Sequence, residues 1–116
     1  MAKDMEAPLR TIIEVLNDKF GTTFTPTDQL LVEQVIAHGK SDRDTVDRAR
    51  VNSFDNFEPA MGPKVESFMI DRMEKNEEIV ARCFRDDAFR SVMVKEIARR
   101  IYDDVRKSSS RPPASG

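Results

Sequence analysis

The sequence predicts an all-α fold, a compact bundle of about five to six helices. Three observations carry that expectation. Apolar residues recur at spacings of three and four along most of the chain, as they do on one face of a helix. Helix start and stop residues punctuate these segments. The only β-like run is "TTFT" at 22–25, too short to build a sheet. Of the 116 residues, 39% are hydrophobic and 34% charged, so the core is thin and the outer faces are well solvated. The length suits one domain. It divides into a flexible N-terminus over 1–7, a helical domain over 8–106 and a disordered tail, "KSSSRPPASG", over 107–116.

Taken in order, "PLRTIIEVLNDKFG" opens the first helix, with Pro8 at a first helical position and Leu9, Ile12, Ile13, Leu16 and Phe20 as its apolar stripe. Gly21 stands where a left-handed terminal residue belongs. Thr25, Pro26 and Asp28 form the start of a second helix that runs to about His38. Gly39 then reads as its end, Lys40 as a solvated linker residue, Ser41 as the cap of a third helix and Asp44 as an acid in its first turn. The third segment, "DRDTVDRARVNSFDNF", is polar, with Val46, Ala49, Val51, Phe54 and Phe57 as its apolar positions. "EPAMGP" reads as a break because Pro59, Gly62 and Pro63 crowd into it. A fourth helix, "KVESFMIDRMEK", places Val65, Phe68, Met69 and Met73 on one side. Asn76 can cap a short fifth helix that uses Ile79, Val80, Cys83 and Phe84. A sixth runs from about Ala88 to Arg106 with Phe89, Val92, Met93, Ile97, Ala98, Ile101, Tyr102 and Val105.

Little in the chain points to chemistry. "GKS" at 39–41 matches the end of the phosphate-binding signature G-x-x-x-x-G-K-S/T, but Gln34 stands where the leading glycine belongs, and the preceding stretch has helical rather than strand spacing. Helix punctuation is the better reading. A metal-dependent nuclease of the Asp-x-Lys or Glu-x-Lys kind needs a carboxylate two residues before a lysine, and no lysine here has one. His38 is the single histidine, so a histidine metal cage within one chain is excluded, and its place near a helix end suggests contact with terminal carbonyls. Cys83 is the single cysteine; it lies on an apolar helical face and reads as a small buried hydrophobe. Asp86–Asp87 and Asp103–Asp104 read as a helix cap and a surface pair with Arg99. Neither catalytic residues nor a cofactor or metal site is expected.

The net charge of −2 does not favour nucleic acid or an acidic membrane. No apolar run approaches the roughly 20 residues of a membrane helix, and "MAKDMEAPLR" has no secretory core region. These readings point to the cytoplasm. The last helix carries Arg90, Lys95, Arg99, Arg100 and Arg106, but Glu96 and Asp103 stand four residues from Arg100 and Arg99 and compensate them locally.

A wider pattern is present. "PLRTIIEVLNDKFGTTFTPTDQLLVEQV" and the later "ARVNSFDNFEPAMGPKVESFMIDRMEKNEEIVARCFRDDAFR" together resemble the C-terminal helical domain of the motor (restriction) subunit of type I restriction–modification enzymes. The matching positions are Asn17, Phe20, Gly21, Asp28, Asn52, Phe54, Asn56, Phe57, Arg72, Met73, Asn76, Asp87 and Phe89, within a span of about 8–105. Order and spacing carry the likeness. The resemblance implies a non-catalytic module that docks the ATP-dependent translocase subunit to the methyltransferase and specificity subunits, with DNA contacted indirectly or weakly. Arg72, Asn76, Lys95, Arg99 and Arg100 are the candidate partner-binding residues, and Met61, Met69, Met73 and Met93 candidate adaptable apolar contacts. A stand-alone nucleic-acid-binding or self-associating bundle is the alternative.

Overall fold

The last helix is the axis of the molecule. In the computed structural model, which describes residues 11–73 and 77–110, six α-helices form and no strand is present among the described residues. They are α1 (Ile12–Phe20), α2 (Pro26–Ser41), α3 (Arg43–Val51), α4 (Phe54–Met73), α5 (Glu78–Arg85) and α6 (Asp87–Ser110). All five earlier helices pack against α6, and α2 and α4 also pack on each other. The all-α bundle is therefore as the sequence predicts. Phe89, Met93, Ile97 and Ile101 of α6 are completely buried, at steps of four residues, with Val94, Ala98 and Val105 beside them.

α1 starts later than its apolar pattern suggests. Thr11 has extended backbone angles (φ −74, ψ 161) and is the N-cap. Its hydroxyl accepts from the Glu14 N–H at 3.2 Å, and the Glu14 carboxylate accepts from the Thr11 N–H at 3.0 Å. This reciprocal box fixes the start at Ile12 and corrects the expected start at Pro8, which itself lies outside the described residues. Gly21 ends the helix at φ 66, and no atom lies within 4 Å of the Cβ it lacks, so the left-handed backbone alone asks for glycine. Asn17 then ties the α1–α2 turn. Its side-chain oxygen accepts from Phe24 N at 2.9 Å and Thr22 Oγ1 at 2.7 Å, and its Nδ2 donates to Phe24 O at 3.0 Å.

Thr25, Pro26 and Asp28 start α2 as expected, with the Thr25 N–H donating to Asp28 Oδ2 at 2.9 Å. Its far end corrects the sequence reading. Gly39 lies inside the helix, because Ile101 of α6 fills the space beside it; a Cβ there would sit 2.5 Å from Ile101 Cδ1. The glycine serves close helix approach rather than termination. α2 continues to Ser41, whose hydroxyl donates to His38 O at 3.0 Å, and Asp42 instead caps α3 by accepting from Thr45 N at 3.1 Å. Lys40 is no free linker residue: it pairs with Asp104 at 3.0 Å.

The segment 42–57 is two helices joined at 52–53, and Phe54 and Phe57 belong to the second. Val51, expected to be an apolar contact, is 79% exposed. The break expected at "EPAMGP" is absent: α4 runs through Pro59, Gly62 and Pro63. Phe57, Met61, Val65, Phe68, Met69 and Met73 form one buried stripe across that stretch, while both prolines face out. Each interior proline costs a helix about 3 kcal/mol. Burial of each large apolar side chain returns roughly 1.5–3 kcal/mol, so the stripe outweighs both prolines. Asp55 and Pro59, whose carbonyls would have bonded the missing N–H groups, are both exposed residues.

α5 buries Ile79, Val80 and Cys83 but leaves Phe84 54% exposed, against expectation, because Phe84 lies past the edge of its apolar side. The cap expected of Asn76 lies outside the described residues; Glu77 holds the N-cap position. Asp86 caps α6 as expected, accepting from Phe89 N at 3.1 Å. α6 extends to Ser110, past the Arg106 boundary drawn from the sequence.

Candidate partner-binding surface

The candidate cations come from two helices. Arg72 sits in the last turn of α4, and Lys95, Arg99 and Arg100 follow one another along α6. Asn76 lies outside the described residues. α4 and α6 run antiparallel, since Phe54 meets Tyr102 at a ring separation of 5.4 Å and Glu66 approaches Arg90 at 3.7 Å.

Arg99 lies on the ring of Phe54, 3.8 Å from its centroid, and reaches Asp103 at 3.8 Å. Its side chain is 49% exposed. Lys95, one turn earlier, is exposed and makes no ion pair among the described residues. Arg100 is different. Its two terminal nitrogens both reach Glu33 of α2 at 3.1 Å, and its Nε reaches Asp104 at 3.3 Å. A forked arginine–carboxylate pair of this kind is a directional brace between helices. Its charge is met by Glu33 and Asp104 rather than by the Glu96 expected from spacing, and Arg100 is thereby taken up in holding α2 to α6.

Arg72, a candidate partner-binding residue, contacts α2. Its Nε donates to His38 Nδ1 at 2.9 Å. Since Nδ1 accepts, the neutral imidazole of this contact carries its proton on Nε2. The His38 ring stacks on Phe68 at 4.3 Å, which fixes it against α4 rather than at the α2 carbonyls. Among the described residues Arg72 is held through Nε, and the residue is exposed.

These groups do not converge. Arg99 covers Phe54 at one end of α4, and the helical rise from there to Arg72 is about 27 Å. Lys95 and Arg99 form one contact, and Arg72 a distant second. The methionines expected to offer an adaptable face do not: Met61, Met69, Met73 and Met93 are all 2% exposed or less and belong to the core.

The other chemical candidates resolve into structure. Burial pushes the Cys83 thiol up to about 12, and its sulfur sits 3.5 Å from the Met93 sulfur. Asp86 caps and Asp103 pairs with Arg99, as the sequence suggests. Among the described residues no group of three or more His, Cys, Asp or Glu could hold a metal ion, and no helix is long and apolar enough to cross a membrane. "GKS" lies in helix and at its end.

One feature escaped the sequence reading. A cleft of about 520 Å³ lies between α1 and α2, lined in part by Ile13, Asn17, Phe24, Pro26 and Leu30. Leu30 is 63% exposed on its rim. The signal was present: along α2, Val32, Val35 and Ile36 define the buried side, and Leu30 falls off it. Among the described residues Glu14 is the single ionisable residue that lines the cleft. Comparison with protein-family models, with curated proteins and with solved structures gives no match to this chain.

Proposed function

We propose that this chain is a non-catalytic helical assembly domain of the type found at the C-terminal end of the motor subunit of type I restriction–modification enzymes. In this reading it docks the translocase subunit to the methyltransferase–specificity core in the cytoplasm, and meets DNA only indirectly. The observation that carries the reading is the ordered set of resembling positions and what they do here. Asn17 ties the α1–α2 turn, Gly21 supplies the left-handed residue and Asp28 accepts at the start of α2. Phe20 and Phe89 pack at 5.2 Å, and Phe57 and Met73 are core. These are the joints on which a shared fold would depend. Two separate cationic contacts, Arg72 and the Lys95–Arg99 pair, suit an extended protein surface better than a small molecule.

The nucleic-acid reading is weaker. Arg100 is engaged by Glu33 and Asp104, and Arg99 by Phe54 and Asp103, so α6 offers no run of uncompensated cations to a phosphate backbone.

The test is size-exclusion chromatography of the chain with the methyltransferase–specificity complex encoded beside it, with and without duplex DNA. Co-elution is expected, and is expected to weaken at least tenfold in the Arg72→Glu or Lys95→Glu/Arg99→Glu variants, each first shown to keep its helical signal. Separate elution, together with tight DNA binding at physiological salt, would overturn the proposal.

A further inference from the structure

We draw no further inference here: the strongest candidate, the apolar cleft between α1 and α2 rimmed by Phe24, Pro26 and the exposed Leu30, is an unpartnered surface, and nothing in the structure shows what covers it.

Discussion

The α1–α2 hairpin and the α3–α4 corner are both short joints between helices, but they are held in different ways. In the hairpin most polar fastenings are local: Thr11 with Glu14, Asn17 with Thr22 and Phe24, and Thr25 with Asp28 each join partners at most seven residues apart. One buried bond spans it, from Ile13 N–H to Gln29 Oε1 at 3.1 Å. The α3–α4 corner is fastened from far along the chain. Tyr102 donates to Asn52 O at 3.0 Å, and Arg106 donates to Ala49 O at 3.1 Å and Arg50 O at 3.2 Å. These α6 side chains satisfy carbonyls that the end of α3 would otherwise leave open. A local joint is specified by its own residues; a distant one is specified by whatever packs on it.

The largest effect should come from the corner. Phe57 is completely buried and meets Tyr102 at a ring separation of 5.3 Å. Phe57→Ala should cost about 3–5 kcal/mol in urea unfolding. A loss below about 1 kcal/mol would show that burial is not what holds this region.

In the hairpin the corresponding change is Asn17→Ala, which removes three hydrogen bonds. At roughly 1 kcal/mol each, the expected loss is about 2–3 kcal/mol. Asn17→Asp keeps the acceptor and loses the donor to Phe24 O, so it should fall between the wild type and the alanine variant. If both variants matched the wild type, the hairpin too would owe its form to packing.

The prolines of α4 sharpen the comparison by sign. In a helix interior, replacing proline by alanine gains about 3 kcal/mol of propensity and loses up to about 1 kcal/mol of unfolded-state restriction. Pro59→Ala and Pro63→Ala should therefore each raise stability, by about 2 kcal/mol. Were the segment a true break, both would lower it; thermal unfolding distinguishes the two.

The smallest effect concerns Asp42, which links the two regimes. It caps α3 locally and also accepts from Lys64 of α4 at 2.7 Å. The Lys64 ammonium, then the Thr45 hydroxyl, hold its carboxyl down from 3.8 to about 2. A lowered folded-state value means that the contribution is fully present above pH 3.8 and is lost as pH falls toward 2. The side chain is 29% exposed, so screening leaves about 1 kcal/mol. Asp42→Asn retains a capping oxygen and should flatten the loss of stability between pH 4 and 2. An unchanged slope would assign the residue's role to capping alone.

The same division explains what could be read from the sequence. The left-handed Gly21, the Thr25–Asp28 start of α2 and the Asp86 cap were legible because each depends on neighbours in the chain. The Thr11–Glu14 box was equally local, and the longer apolar pattern of 8–20 obscured it. Gly39 and the prolines of α4 could not be read, because their meaning is set by Ile101 and by a buried stripe spanning several turns. The candidate surface shows the same limit. Spacing identified the cations, but only the fold shows Arg100 committed to Glu33 and Arg72 to His38.

The placement of α6 bears on how the chain matures. Every other helix packs on it, yet it is the last of the described elements to leave the ribosome. Until it emerges, Leu16 of α1, Val32 of α2 and Phe57 of α4 have no completed interior to enter. Earlier helices can meet one another, as α2 and α4 do, but the faces that they turn toward α6 stay open to other partners until it arrives. A nascent chain halted before Asp87 should be captured by chaperones or cut by proteases, whereas the released chain should resist both.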